Sequence, residues 1–315
     1  MKSILLGGAA ALCLSICPAP PAAAQPAVDW SKVEIKTTDL GHGVYLLGWG
    51  NGDSVLLTGP DGALLVDTSV PQMIAKIQAA VARVSPTPVR YVVNAHAHVD
   101  HFGGNEVMAR AGAVIIAQEN VRRRMEKGQH IAIFNQTIPP SPPAALPQVT
   151  YDAGLTLHLD GETVDLIHGP AAHTDSDTVV LFHRANVVHI GGSYGPGTTY
   201  PFYDISSGGS LDGVIALQER VLSLIDDNTR LIADEGEPEG KAGLQASHDM
   251  LVKLRARVKA LIDQGKSEAE VVAARPAADL DPVWGKGFLK GDAVVRMAYQ
   301  SLKGIQPPAA PSAGP

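Results

Sequence analysis

The chain has 315 residues, 45% of them hydrophobic and 18% charged, with a formal net charge of −7. That length and apolar content suit one large domain or two pseudo-repeated halves, and a mildly acidic balance without basic runs argues against nucleic acid as a partner. Both cysteines, Cys13 and Cys17, fall in the first 24 residues, so beyond them disulfides and thiolate ligands are excluded and any metal must be held by nitrogen and oxygen.

Lys2 precedes an apolar run from Ile4 to Cys17 and a Pro/Ala stretch ending Ala22-Ala23-Ala24-Gln25. Residues 1–24 read as a secretory signal peptide with an A-x-A cleavage site, too short in its apolar core to span a membrane as a stable helix. The expected location is secreted or periplasmic, and cleavage would remove Lys2 and take the formal charge to −8. Leu12 and Ile16 precede the cysteines where a lipoprotein needs a small residue, which argues against lipid attachment. No later segment is long and apolar enough to cross a bilayer.

From Val33 to Asp67 short apolar runs (Val44 to Leu47, Val55 to Leu57, Ala63 to Val66) alternate with turn dipeptides Asn51-Gly52 and Asp61-Gly62, which predicts an antiparallel meander. Pro71 sits where helices begin, and Ile74, Ile77, Val81 and Val84 recur at helical spacing. Val89 to Val93 reads as a buried strand, Asn105 to Ala111 as a short helix and Ala113 to Ile116 as another strand. Residues 127–149 include Ile138-Pro139-Pro140-Ser141-Pro142-Pro143, which cannot be regular structure; the segment reads as a loop packed near the active face or a linker between halves.

The second half repeats the theme. Leu155 to Leu159 and Thr163 to Ile167 flank Asp160-Gly161 as a hairpin, and Val179 to Phe182, Val187 to Ile190 and Leu231 to Ala233 are further strands. Leu211, Val214, Leu217, Val221 and Ile225 mark one helix, and Met250, Leu251, Leu254, Val258 and Leu261 another. Residues 266–304 carry helical patches at 268–273 and 293–302 and read as a C-terminal extension; 305–315 reads as a disordered Pro/Ala tail. Periodicity alone supports a mixed α/β fold.

One stretch stands apart. Immediately after Val93 comes Asn94-Ala95-His96-Ala97-His98-Val99-Asp100-His101-Phe102-Gly103-Gly104-Asn105. Three histidines and an aspartate lie within six positions where a strand gives way to a loop. His96 and His98, two apart, point the same way in extended backbone and can grip one metal; Asp100 and His101 follow a turn and can face a second position. Imidazole suits zinc, and a neighbouring carboxylate adds a ligand or a proton acceptor.

His96 to His101 resembles the signature motif of the metallo-β-lactamase superfamily, and the likeness continues in order to about residue 240. It implies a four-layer αββα sandwich of two pseudo-repeated halves over residues 25–265. It also implies a third ligand in Gly169-Pro170-Ala171-Ala172-His173-Thr174, namely His173, so that His96, His98 and His173 hold one Zn²⁺ with an open fourth place. His168 is the lesser candidate, and Asp177 reads as a turn carboxylate. At the second metal the chain departs from the family. Gly192 or Ser193 stands where a bridging Asp or a Cys is expected, and Glu235 where the last histidine falls. A second ion, if held, would be bound by Asp100, His101 and Glu235 in an oxygen-rich site; if that site is empty, Asp100 would serve as general base beside one zinc. His189 is the histidine expected to support the site.

The resemblance implies an exported zinc-dependent hydrolase whose metal-bound hydroxide attacks a carbonyl, ester or phosphoryl centre of a small-molecule substrate. β-Lactam hydrolysis is an alternative, although Pro196 stands where one lactamase subclass places a carboxylate-binding lysine. A non-catalytic metal-dependent binding protein is another, motivated by Gly192 and Glu235. A serine hydrolase is weighed on Gly191-Gly192-Ser193-Tyr194-Gly195, a G-x-S-x-G pattern that should open a helix but runs into Pro196-Gly197.

Overall fold

The structure is a computed structural model that describes residues 28–197 and 199–307. The expected signal peptide and the tail from residue 308 lie outside the described residues. Contacts divide the chain into Met1–Lys32 and Val33–Pro315. In the first, the Asp29 carboxylate accepts from the Ser31 amide and hydroxyl; among the described residues, the helices and strands belong to the second.

The first half opens with β1 (Lys36–Gly41), β2 (Val44–Gly48), β3 (Ser54–Leu57) and β4 (Ala63–Val66), an antiparallel meander. Its Asn51-Gly52 and Asp61-Gly62 turns place Gly52 and Gly62 at positive φ, the conformation glycine tolerates. Then α1 (Ile74–Val84) leads to β5 (Val89–Asn94), α2 (Val99–Phe102), α3 (Asn105–Arg110), β6 (Val114–Gln118) and α4 (Glu119–Lys127). β4, β5 and β6 run parallel, with Val66, Val93 and Ile116 in register. Their C-terminal ends therefore share one edge of the sheet, the usual place for a site in parallel α/β structure.

Residues 127–149 depart from the expected irregular loop. They hold a two-stranded hairpin, β7 (Gln129–Ile131) and β8 (Gln136–Ile138), and only the proline run that follows is irregular. β9 (Val149–Tyr151) then pairs with β6 and completes a seven-stranded sheet. The hairpin was hidden because its strands have three residues each and its turn is a 3-10 element closed by Asn135 at positive φ.

The second sheet orders β10 (Gly154–Leu159), β11 (Glu162–His168), β12 (Thr178–Phe182), β13 (Val187–Gly191) and β14 (Arg230–Ala233). Between β13 and β14 lies α5 (Leu211–Leu224), capped by the Ser210 hydroxyl on the Gly213 amide. The β13–α5–β14 crossover leaves β13 and β14 parallel, so Gly191 and Ala233 finish side by side. α6 (Lys241–Asp263), α7 (Glu268–Ala273), α8 (Asp281–Trp284) and α9 (Gly291–Lys303) complete the chain.

Alternation decides the layering. Leu46, Val55, Leu64, Val66 and Val93 of the first sheet meet Val164, Leu166, Val180, Phe182 and Ile232 of the second in one buried cluster. The alternate residues Leu47, Leu56, Leu65, Val92 and Ile115 are equally buried on the opposite face, as are Ile74, Ile77 and Val81 of α1. Across the second sheet, Val179, Leu181, Val188 and Ile190 pack on α5, α6 and α9. The result is the αββα sandwich. Each fully buried Leu or Val contributes about 1.5–3 kcal/mol, and Phe182→Ala at the inter-sheet centre would cost about 3–5 kcal/mol. Residues 266–304 share that outer core through Val271, Leu280, Trp284 and Val294, and α7 opens on a Ser267/Glu270 capping box.

Candidate metal centre

β5 ends in Asn94, and the chain then turns through His96 and His98 into α2, a single helical turn that carries Asp100 and His101. The turn is held from below. The Thr68 amide and the Asn94 side-chain amide both donate to the His101 carbonyl, and Asn105 returns a hydrogen bond to Asn94. The second loop, between β11 and β12, is built around Asp177, whose carboxylate accepts from the amides of His173 and Thr174 and from the Thr174 hydroxyl. Two bonds stitch this loop to the first: Thr178 N–H to the Ala95 carbonyl, 2.8 Å, and Ala97 N–H to Ser176 Oγ, 3.1 Å. Asp177 is thus the turn carboxylate the sequence suggests.

This scaffold brings His96, His98 and His173 together, all buried. His98 Nδ1 lies 3.1 Å from His96 Nε2 and 3.0 Å from His173 Nε2. The outer nitrogens settle what these inner ones carry. His173 Nδ1 donates to the Phe202 carbonyl at 2.6 Å, since a carbonyl can only accept, so its Nε2 is a bare lone pair when the ring is neutral. His98 Nε2 donates to Asp204 Oδ2 at 3.1 Å, which leaves Nδ1 bare as well. Burial alone would raise the Asp204 carboxyl, but the hydrogen bonds from His98 and Ser206 outweigh it and hold the group below the usual carboxylate range. Burial, with the neighbouring imidazoles, pushes His96 well below its ordinary value and keeps it neutral. The His98 and His173 lone pairs, 3.0 Å apart, repel unless a cation lies between them. The spacing is close to the roughly 3.3 Å edge of a tetrahedron with metal–nitrogen bonds of about 2.0 Å. The three imidazoles therefore fit a divalent metal.

A second cluster adjoins it. His96, His101 and Asp234 form the other group of potential ligands, with the His96 and His101 rings 3.8 Å apart. His101 Nδ1 donates to Asp67 Oδ2 at 2.8 Å, and its Nε2 faces Asp100 Oδ2 and Asp234 Oδ2, each at 3.5 Å. His101 Nε2 and Asp234 Oδ1 are buried atoms without a hydrogen-bond partner. Burial favours a neutral His101, but Asp234, Asp67 and Asp100 outweigh it and raise the ring well above its usual value. His101 in turn holds the Asp100 carboxyl low against burial, while burial pushes Asp234 up to about 7. The pocket calls for positive charge, either a proton on His101 or a metal in its place; its ligand group is two imidazoles and one carboxylate, with the Asp100 carboxylate close by.

Here the sequence expectation needs correction. Glu235 is exposed and lies outside both ligand groups; its predecessor Asp234 faces His101. Partial burial of the Glu235 carboxyl, then the charges of Asp53 and Asp100, raise it above its ordinary value. The reason is the exit from β14. The Asp53 amide donates to the Asp234 carbonyl at 2.8 Å, and Gly236 follows at a φ of 97°, a turn that directs residue 234 inward and residue 235 out. Gly192 is not an empty ligand position either, because a Cβ there would lie 2.6 Å from the His173 ring.

The remaining candidates sort cleanly. Asp100 sits beside His101, backed by Gly52, whose added Cβ would lie 2.5 Å from the Asp100 carbonyl. His168 turns away and bonds the Asp177 carbonyl. His189 is fully buried with Nε2 3.9 Å from Asp234 Oδ1, and burial pushes it down to about 4. Ser193 is fully buried with its hydroxyl on Asp177, and no helix follows it, so the nucleophile-elbow geometry is absent. Asp67, Asp204 and Asp234 went unnoticed in the sequence. Asp67 and Asp234 each directly follow a strand at a site edge, a signal available in the chain; Asp204 had none. A cleft of about 300 Å³ bordered by Lys36, Trp49, Asp53 and Glu237 opens next to the Asp53–Asp234 contact.

Comparison with known proteins identifies the family and the fold. The family model of the metallo-beta-lactamase superfamily matches residues 47–232, more than half of the chain. Among solved structures, a metallo-beta-lactamase from Pontibacter korlensis superposes with a TM-score of 0.59 at 16% identity, over 70% of this chain and 99% of that one. A metallo-beta-lactamase with a HARLDQ motif from Cronobacter sakazakii gives 0.59 at 22% identity, over 76% and 98%. A stereoselective inverting sec-alkylsulfatase from a Pseudomonas species gives 0.66 at 17% identity, over 84% of this chain and 50% of the other. At these identities the structural likeness concerns the fold.

Proposed function

Because this chain belongs to the metallo-β-lactamase superfamily, we propose that it is a zinc-dependent hydrolase of a small-molecule substrate. The observation that carries the reading is the convergence of His96 Nε2, His98 Nδ1 and His173 Nε2, with Asp204 and the Phe202 carbonyl fixing the tautomers of the last two. A divalent metal bound there supplies Lewis acidity to a substrate oxygen and acidifies water. The chain's own residues do the rest. Asp100 Oδ2, held ionised by His101, is placed to take a proton from water; the Asp67–His101 bond orients the imidazole between Asp100 and Asp234. The second cluster, with the Asp234 carboxylate in place of a third imidazole, is a place for a second, more weakly held ion.

Export through the N-terminal segment is part of the proposal, and fractionation with N-terminal sequencing of the mature chain checks it. The activity test is metal analysis of purified protein coupled to a panel of carboxylic ester, lactone, phosphoester, sulfate ester and β-lactam substrates. Turnover of one class, lost with chelator and restored by zinc, is the expected outcome. Stoichiometric zinc without turnover of any class would favour the metal-dependent binding protein, and a chain that never retains metal would overturn both.

A further inference from the structure

Aromatic residues are scarce in this chain, yet three of its five phenylalanines gather at the metal centre. Phe202 follows β13 by loop; its ring stacks on His98 (6.4 Å, 17°) and meets His173 edge-on at 5.4 Å. Phe134 comes from the tip of the β7–β8 hairpin and Phe288 from the segment between α8 and α9. The three ring centroids form a triangle with sides of 5.7, 5.8 and 5.8 Å. Phe134 is 48% exposed and Phe288 59%, with Ile133 beside Phe134 at 45%. Apolar side chains left this open normally scatter; a contiguous group touching a polar site marks a place where something apolar binds.

Each arm of the triangle is held in place. The Ala132 amide donates to Ser206 Oγ at 3.0 Å, and the Gln129 side-chain amide donates to the Ala97 carbonyl between the two metal-facing histidines. Thr199 and Gly285 form an antiparallel bridge, Tyr200 N–H donates to the Trp284 carbonyl at 3.0 Å, and buried Leu289 anchors the residue after Phe288. The hairpin and the C-terminal extension thus each spend an exposed phenylalanine on one spot, and Phe202 joins that spot to two imidazoles of the centre.

We infer that Phe134, Phe202 and Phe288 form the substrate's apolar subsite. The group carried next to the scissile bond is then an alkyl chain or an aryl ring rather than a sugar or a charged moiety. This rests on the hydrolase reading above and deepens it. The occupant is a small molecule because the patch is continuous with the histidine rings, so whatever covers it lies within reach of the centre.

The test uses straight-chain hydroxamates from acetyl to octanoyl, whose metal-binding head is constant while the tail grows. Their Kd is measured by calorimetry on zinc-loaded protein, and the octanoyl-to-acetyl affinity ratio is compared within each protein. Full burial of a methylene is worth about fourfold in affinity, so rings half open to water should give about two- to threefold per methylene in wild type. In a Phe134→Ala/Phe288→Ala variant the octanoyl-to-acetyl ratio should shrink by about tenfold, and Phe134→Leu/Phe288→Leu should keep most of it. Both residues are exposed, so neither change removes core. A wild-type ratio that does not grow with chain length, or an equal ratio in the alanine variant, overturns the inference while leaving the metal site intact. A wild-type dimer that dissociates in the alanine variant reassigns the patch to a second copy and overturns it too. Failure of zinc-loaded protein to bind any hydroxamate overturns the hydrolase reading and the inference with it.

Discussion

Asp234 Oδ2 lies 3.5 Å from His101 Nε2, while its neighbour Glu235 is exposed. The carboxylate of the second cluster therefore comes from residue 234. In a zinc titration followed by metal content per chain, Asp234→Asn should weaken or abolish uptake of a second ion, and Glu235→Gln should leave it close to wild type. The reverse pattern would mean that residue 235 turns inward when metal binds. Gly192→Asp, the change that would install a bridging carboxylate, should instead displace His173 and lower zinc content.

His96→Ala, His98→Ala and His173→Ala should each abolish tightly held zinc, because two remaining imidazoles are too few to retain a catalytic zinc against water. Metal content after dialysis against a weak chelator is the readout. Stoichiometric zinc in any one of them would remove that residue from the ligand set.

Asp204→Asn keeps the shape of the group that orients His98 but removes its charge. Loss of such an outer partner typically costs about 10–100-fold in metal affinity or activity. A competition titration with a chromophoric chelator measures it, and an unchanged zinc affinity would show that His98 needs no help from Asp204.

Asp100→Asn removes the negative charge and the proton acceptor beside His101. Turnover should fall by about 10²–10⁴ with zinc at the three-histidine site retained. Full turnover would take Asp100 out of the mechanism; lost zinc would make it a structural support instead.

His189 offers a pH test on metal-free protein. Burial pushes its folded value down to about 4, below the roughly 6.5 of an exposed histidine. Between those two values the unfolded chain binds the extra proton, so this stability is intact above about pH 6.5 and lost as pH falls toward 4. At pH 5 the loss is about 2 kcal/mol relative to pH 8. His189→Leu should flatten the pH dependence of the urea midpoint by that amount, and an unchanged slope would assign the acid sensitivity elsewhere.

Much of this protein is written locally. The meander turns, the strand before the motif, the helical repeats of α5 and α6 and the grip of His96 and His98 all follow from periods of two and 3.6 residues and from turn chemistry acting over a few positions. The place of His173 came from resemblance, and the structure joins it to the motif through Ser176 and Thr178. What tertiary structure alone decided are matters of direction and meeting. Whether residue 234 or 235 faces inward depends on the turn leaving β14, held by Asp53 from a hairpin some 180 residues earlier. Asp67, Asp204 and His101 share no period, and Phe134, Phe202 and Phe288 come from three separate segments. Such contacts are products of sheet packing and chain crossover, which act between elements distant in sequence and leave no periodic trace in any one of them.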